Sequence, residues 1–439
     1  MSNPEKKEFN PTEKPAGYLG LPLRDAEAAA RACMVRYGKT QLRLSWLFEV
    51  LLRPFLFLRS EKPLRLDEEP KRILVLEYWN LGDLVMLTPF LKNLRLHYPK
   101  AHIAIIASPR AVSMLEGQGL VDEIIPVKMP WAQHMARRKK YFSRYWGEYI
   151  RCIARLRARR FDLGFTVRAD IRDNFLLWVG KVRHRVGYGY GYGGSLLTEV
   201  VPPDLSQPHY ADRWLHLLEH LGKPVLDRQP ELRVGPEQRA FAGRFLGEMG
   251  LDNGDVLVGF HPGARNEVRQ WGNEKFLEVA RRLTELFPVK ILWFQDPGAP
   301  EKVSGREFIP VTLPLKEFLA VLSECKVLVC NDTGPMHIAS GLGVPVVAIF
   351  GPGMREWWGP RSAGSQVVAH ESIWCRPCFD YCIFDQPYCL RAVTVDSVYE
   401  AAAEALKSLV HRVCQDKNEP TSSEGLGMSS GPKAVNASN

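Results

Sequence analysis

Short runs of consecutive apolar residues recur along the first half of the chain, separated by segments in which apolar and polar residues mix at helical spacing. These runs predict buried strands at residues 73–76, 102–107, 121–127 and 163–167. A helix is predicted over 84–97, ended by Tyr98 and Pro99. Apolar strands that alternate with helices are typical of a parallel sheet covered on both faces. The pattern therefore predicts a doubly wound α/β domain.

The same alternation resumes after a stretch rich in turn-forming residues. Pro224, Pro230, Gly235 and Pro236 fall within residues 223–240 and indicate a linker. Beyond it, the pattern predicts strands at 256–260, 289–294, 327–330 and 344–350, and helices at 273–286, 315–323 and 335–342. Two such units in tandem place a ligand in the cleft between them, at the carboxyl ends of the strands.

The chain is thus predicted to contain two Rossmann-like domains with an extension at each end. Its parts are an N-terminal extension with an amphipathic helix over 1–70, a first α/β domain over 71–235, a second over 236–395, a C-terminal helix over 396–414 and a disordered polar tail over 415–439. Residues 1–25 have the composition of a loose tail, and 26–40 could form a short helix.

Residues 42–58 are densely apolar and aromatic, with arginines spaced among them. Trp46 and Phe48 are typical of a helix that lies on a membrane surface, whereas Arg43, Glu49 and Pro54 argue against burial in a bilayer core. The alternative is a helix that packs its apolar face on the protein body. The sequence does not separate these two interpretations.

Composition narrows the class of partner. The chain has 439 residues and a net charge of +9, which favours an anionic partner or, alternatively, reflects solvated charge spread over the surface. The first ten residues lack a secretory signal pattern, and no run of eighteen apolar residues occurs. We therefore expect a cytoplasmic protein whose nine cysteines stay reduced.

The loop from Asn331 to His337 follows a predicted strand and opens a predicted helix. Thr333 or Gly334 can cap that helix, and Pro335 suits its first turn. The exposed N–H groups of a helix start attract anions, and His337 could add a donor one turn further on. An ordinary strand-to-helix turn with Asp332 as a cap would show the same pattern.

A second polar segment follows the strand at 256–260. Gly263 allows a ligand to approach the backbone beside His261, and Arg265 and Arg269 could neutralise a diphosphate. The alternative is that both arginines are solvated. In the first domain, Gly82 and Asp83 follow the first strand. Asp83 could be a helix N-cap or a general base that faces the cleft.

Four segments, taken in order, resemble glycosyltransferase family 9, the heptosyltransferase-like family, over about residues 71–410. They are Arg72 to Val75 continuing through Leu81-Gly82-Asp83 to Pro89; Gly259 to Ala264 with Trp271; Asn331 to Ala339; and Gly343 to Val346 continuing through Phe350-Gly351-Pro352 to Trp358-Gly359-Pro360. The resemblance implies a GT-B fold, two Rossmann-like parallel-sheet domains facing an interdomain cleft. It also implies an inverting mechanism and a nucleoside-diphosphate sugar donor.

The resemblance also assigns roles to residues. The catalytic aspartate of the family falls on Asp83, and its phosphate-binding lysine falls on Arg269. Gly82, beside Asp83, is predicted to bind the acceptor. Its donor-binding loop falls on Asp332, Thr333, Gly334 and His337. His261, Gly263 and Arg265 are predicted to bind the donor as well, from their place after the strand at 256–260. Two positions depart from the pattern: Glu77 stands where the family often has Lys or Arg, and residues 293–297 lack its usual glycines.

A basic stretch in the first domain includes Arg137 and Arg138 and extends to Arg160. Because acceptors in the family are often anionic glycolipids, Arg137 and Arg138 are predicted to bind the acceptor, and the stretch together with residues 42–58 predicts docking on an acidic membrane. A solvated helix is the alternative. A nucleic-acid partner is not expected, because aromatic residues are not interleaved on a recognisable module.

Cys375, Cys378, Cys382 and Cys389 lie within fifteen residues. The first pair has the spacing of a metal site, so a structural zinc ion or iron–sulfur cluster is one interpretation. Reduced, partly buried thiols or a disulfide are the other. No metal or other cofactor is expected to be needed for catalysis, because GT-B transferases do not generally hold the diphosphate with a metal.

The function predicted from the sequence is inverting transfer of a heptose-like sugar from an ADP-heptose-like donor. The predicted acceptor is a hydroxyl of a lipid-linked or lipopolysaccharide-core-type molecule, with Asp83 as base, at the inner face of the cytoplasmic membrane. The alternative function is that of a catalytically inactive, nucleotide-sugar-binding scaffold at the membrane surface, which an intact Asp83 and donor loop argue against.

Overall fold

The computed structural model describes residues 39–57, 68–132, 145–189, 192–204, 206, 208–252, 254–296, 308–378, 380 and 382–416. The predictions for residues 1–25, for most of 26–40 and for the tail after Asp416 lie outside these residues. Two six-stranded sheets, in which all paired strands are parallel, form the framework. This confirms the predicted α/β class.

The first sheet has the strand order β3-β2-β1-β4-β5-β6. Its strands are β1 (Arg72–Leu76), β2 (His102–Ala107), β3 (Glu123–Pro126), β4 (Leu163–Thr166), β5 (His184–Gly187) and β6 (Glu199–Val200). The helices of this half are α1 (Lys39–Phe57), α2 (Leu81–His97), α3 (Val112–Leu115), α4 (Trp146–Arg159), α5 (Ile171–Val179) and α6 (Tyr210–His220). The order reverses between β1 and β4, and ligands bind beside such a reversal in open α/β sheets.

The second sheet repeats the same arrangement with the order β12-β11-β10-β7-β8-β9. Its strands are β7 (Val256–His261), β8 (Val289–Phe294), β9 (Phe308–Val311), β10 (Val327–Asn331), β11 (Val346–Phe350) and β12 (Gln366–Ala369). Its helices are α7 (Pro236–Glu248), α8 (Asn273–Leu286), α9 (Leu315–Leu322), α10 (Gly334–Gly341), α11 (Arg355–Trp358), α12 (Tyr388–Arg391) and α13 (Val395–Asp416). Here the order reverses between β7 and β10.

The strands are apolar because both faces of each sheet are covered. Ile73, Leu74 and Val75 in β1, and Val346 and Val347 in β11, expose none of their surface. Burying a side chain of this size contributes roughly 1.5–3 kcal/mol. Alternate residues of one strand pack on opposite faces, which explains why the strands are continuous apolar runs rather than alternating patterns.

The two halves are joined by direct packing of α2 against α10. A Cβ added to Gly82 would lie 2.4 Å from Cδ2 of His337, and one added to Gly341 would lie 2.8 Å from Val85. The linker also packs at this contact, because the N–H of Leu232 donates to the carbonyl oxygen of Gly341 at 2.7 Å. The first two turns of α2 are thereby held against α10.

Helix α1 lies against the first half through a few contacts and leaves an apolar face exposed. The carboxylate of Glu49 accepts the N–H of Gly193 at 2.7 Å and that of Ser195 at 3.2 Å. Leu44 and Leu51 remain 59% and 62% exposed. None of the helices in the part of the chain that the structure describes is both long and apolar enough to span a membrane.

Candidate active site between the two sheets

Asp83 lies in the first turn of α2, close to the carboxyl end of β1. The N-cap of α2 is Asn80, so the alternative interpretation of Asp83 as an N-cap is wrong. The Asp83 side chain is almost fully buried. Its Oδ2 accepts hydrogen bonds from Nδ2 of Asn80 at 3.0 Å and from Nη2 of Arg168 at 2.6 Å. Among the described residues, no hydrogen bond reaches Oδ1.

Arg168 is a site residue that sequence reasoning missed. It follows β4, the strand next to β1, so both side chains reach the same edge of the sheet. Its guanidinium carbon lies 4.9 Å from the ring centre of Trp79 and 5.5 Å from that of Tyr210. The only signal in the sequence was a basic residue directly after a predicted strand, which many solvated arginines share.

Glu77, the departure from the family pattern, is buried beside this guanidinium. Its Oε2 accepts the hydroxyl of Tyr210 at 2.8 Å, and its Oε1 lies 3.8 Å from Nη2 of Arg168. Burial raises the pKa of Glu77 to about 7, opposed by Arg168 and reinforced by Asp83. Arg168 is therefore shared between Asp83 and Glu77, and the three groups together carry no net positive charge.

The predicted anion-binding loop has the expected backbone on the opposite side of the cleft. Strand β10 ends at Asn331, and α10 begins at Gly334 with Thr333 as an extended N-cap that makes no side-chain cap. The Asn331 amide donates to the carbonyl oxygen of Pro262 at 2.7 Å and accepts the N–H of Trp271 at 3.2 Å. Asn331 therefore ties the loop after β10 to the segments that follow β7.

Arg269 is held between two carboxylates. Its Nη1 donates to Oδ2 of Asp332 at 2.9 Å, and its Nε and Nη2 donate to Asp380 at 2.5 and 3.2 Å. The charges of Asp332 and Asp380 raise the pKa of Arg269 against the opposing effect of burial. Arg269 thus lies at the predicted donor loop, but its donors are engaged by protein carboxylates.

The remaining predicted donor residues surround the same cleft. His261 ends β7 and is buried, and a Cβ added to Gly263 would lie 2.9 Å from Asp296. Arg265 is exposed, and its Nη1 donates to Oδ1 of Asn80 at 3.2 Å. Because Asn80 also donates to Asp83, one side chain connects the donor-side arginine with the predicted base.

His337 lies in the first turn of α10, against Gly82 of the other half. Burial lowers its pKa below the usual range, although the charges of Asp332 and Asp83 oppose that shift. The ring is therefore neutral near pH 7 and can donate through one nitrogen only. Gly82 is required here because any side chain would occupy the space of the imidazole.

Two other groups of predicted site residues have different outcomes. Arg137 and Arg138 lie outside the described residues.

Cys375, Cys378, Cys382 and Cys389 are all free thiols. Within the described ranges, no group of three or more His, Cys, Asp or Glu side chains is arranged to hold a metal ion. The structure therefore does not support a structural metal.

Two Rossmann-like sheets, with Asp83 at one switch point and the predicted anion-binding helix start at the other, form a GT-B fold. The model of glycosyltransferase family 9 (heptosyltransferase) matches residues 149–388, more than half of the chain, and this protein belongs to that family. The resemblance inferred from the four sequence segments is thereby confirmed.

Curated and solved relatives agree with this assignment. Lipopolysaccharide heptosyltransferase 2 of Escherichia coli is 23% identical over 323 residues, which cover 68% of this chain and 87% of the relative. The solved ADP-heptose lipopolysaccharide heptosyltransferase II of Escherichia coli has a TM-score of 0.60 at 21% identity, over 77% of this chain and 99% of its own. A solved family 9 glycosyltransferase from Veillonella parvula has a TM-score of 0.61 at 25% identity, over 79% and 100%.

Proposed function

We propose that this protein transfers heptose or a closely similar sugar from an ADP-sugar to a hydroxyl of a lipopolysaccharide-core-type acceptor. The names of its relatives support the donor and acceptor classes. The observation that carries the proposal is the contact chain from Arg265 through Asn80 to Asp83, which sets a cationic donor loop against an aspartate with one uncommitted oxygen.

The proposed reaction inverts the anomeric centre. Oδ1 of Asp83 takes the proton of the acceptor hydroxyl as that oxygen attacks the anomeric carbon, from the face opposite the diphosphate. The bond from the anomeric carbon to the diphosphate oxygen breaks through an oxocarbenium-like transition state. Arg265 and the first N–H groups of α10 stabilise the charge that develops on the diphosphate.

The donor class is tested by measuring sugar release and thermal stability with ADP-heptose, ADP-glucose and UDP-glucose. We expect ADP-heptose to raise the melting temperature most, because ligand binding to the folded state stabilises it. We also expect it to be turned over when a heptosylated core oligosaccharide is supplied. Stabilisation without turnover would instead support the inactive scaffold, and preference for a UDP-sugar would contradict the proposed donor.

The exposed face of α1 supports docking on an acidic membrane surface. Leu44, Trp46, Leu47 and Leu51 are each at least 45% exposed, and Arg43 is exposed beside them. Apolar side chains insert into the interface while basic ones meet anionic headgroups. Because Glu49 anchors this helix to the loop before β6, docking would bring the first sheet to the lipid surface.

Replacing Leu44 and Leu51 by Ser is expected to reduce co-flotation with phosphatidylglycerol vesicles several-fold, because burial of apolar area drives interfacial binding. Leu226→Ser is a matched control, since Leu226 is 68% exposed but lies in the linker. Equal flotation of the wild-type protein with acidic and neutral vesicles, or no flotation with either, would rule out the acidic-membrane proposal.

A further inference from the structure

A single guanidinium lies between two buried carboxylates at the switch point of the first sheet. Nη2 of Arg168 is 2.6 Å from Oδ2 of Asp83 and 3.8 Å from Oε1 of Glu77. The three groups come from segments after β1 and β4 that are separate in the chain. Their juxtaposition is therefore a product of the strand order, which makes β1 and β4 neighbours.

The guanidinium has little freedom to move. The rings of Trp79 and Tyr210 lie near it, and Tyr210 also donates to Glu77. Among the described residues, the buried Nε of Arg168 has no hydrogen-bond acceptor. Arg168 is thus held in the place where Nη2 reaches Asp83, at the expense of one of its own hydrogen bonds.

We propose that Arg168 is the positioning residue for Asp83. Together with Asn80 it occupies Oδ2 and so leaves Oδ1 to take the acceptor proton, while Glu77 and Tyr210 position Arg168. This inference rests on the proposed role of Asp83 as the base. A fixed carboxylate presents its free oxygen along one direction, and small errors in such placement can lower a rate about a hundredfold.

Several charged and titratable groups surround the Glu77–Arg168–Asp83 group or belong to it. They are Glu77 after β1, Asp83 in α2, Arg168 after β4, Asp173 in α5, Tyr210 in α6, Arg269 before α8 and His337 in α10. With its pKa near 7, Glu77 changes the net charge of the Glu77–Arg168–Asp83 group from zero to −1 as the pH rises through neutrality. The pH dependence of kcat therefore reports on the charge of the Glu77–Arg168–Asp83 group.

The test compares Arg168→Gln, Glu77→Gln and the double variant with the wild-type protein, using kcat, the KM for ADP-heptose and the pH dependence of kcat. Arg168→Gln is expected to lower kcat about 10–100-fold with an unchanged KM for the donor, because the carboxylate loses its orientation. Loss of the Arg168 charge should also raise the pKa of Glu77 further, so the part of the pH profile that comes from Glu77 should move to higher pH.

Adding Glu77→Gln to Arg168→Gln is expected to remove that part of the pH profile without restoring kcat. That result would separate the charge of Arg168 from its orienting contact. The Glu77→Gln variant alone identifies any part of the profile that comes from titration of Glu77. Arg168→Lys, which keeps the charge but not the planar fork, should recover only part of kcat.

The inference can still be tested if the Arg168→Gln variant does not fold. If Arg168→Gln fails to fold because two acids are left without a counter-ion, the double variant removes one of them and carries the same orientation test. Arg95→Gln is the control, because the Arg95 side chain is 25% exposed, against 23% for Arg168, and pairs with Asp122 at the opposite end of the sheet. Wild-type kcat and pH profile in a folded Arg168 variant would overturn the inference. If Asp83→Asn were inactive at the same time, the proposed function would stand.

Discussion

Asp83→Asn is expected to lower kcat for sugar transfer by about a hundredfold or more, because general-base catalysis contributes roughly 10²–10⁴-fold. The substitution removes the basic oxygen but keeps the shape of the side chain, so Arg168 retains Glu77 as a counter-ion and the fold should persist. Binding of the donor should change little, since the donor loop belongs to the second sheet. The measurement is steady-state transfer at saturating ADP-heptose.

Asp122→Asn provides the matched control for this prediction. Asp122 is also paired, with Arg95, but it precedes β3 at the opposite end of the sheet. It should keep near-wild-type kcat. Turnover within a few fold of wild type in Asp83→Asn, on a substrate that the wild-type protein uses, would show that another group takes the proton.

Arg269→Gln is expected to reduce the free energy of unfolding by roughly 3 kcal/mol, because removing one partner leaves buried carboxylates without compensation. The Arg269 side chain is 18% exposed and that of Asp332 only 4%. Chemical denaturation measures this loss. Arg282→Gln, whose partner Glu278 is 42% exposed, should leave the denaturation midpoint almost unchanged.

The companion variant Asp380→Asn decides whether Arg269 also binds the donor. A diphosphate can reach all of the Arg269 donors only if it replaces Asp380, which now takes Nε and Nη2. Asp380→Asn should then tighten ADP binding in calorimetry several-fold. An unchanged affinity, together with normal ADP binding by folded Arg269→Gln, would leave Arg269 with only the structural task of holding the Asp332 loop.

The repeating strands were predictable because a strand that is covered on both faces is apolar along its whole length, whichever strands are its neighbours. The strands predicted at 73–76, 102–107, 256–260 and 289–294 are confirmed within a residue or two. The pattern did not indicate β5, β6, β9 and β12, which are short or lie towards the sheet edges. The predicted start of α2 at residue 84 was three residues late, since Asn80 rather than Asp83 caps the helix.

The chain by itself determined the two α/β units, the family and the loops that carry Asp83, Asp332 and His337, because these follow from short segments whose spacing has local causes. Only the tertiary structure decided which distant side chains meet. The strand order makes β4 the neighbour of β1, and this brings Arg168 to the carboxylates of Asp83 and Glu77. The fold of the second half likewise brings Asp380 to Arg269. Ion pairing of this kind depends on positions far apart in the chain, so no local pattern contains it.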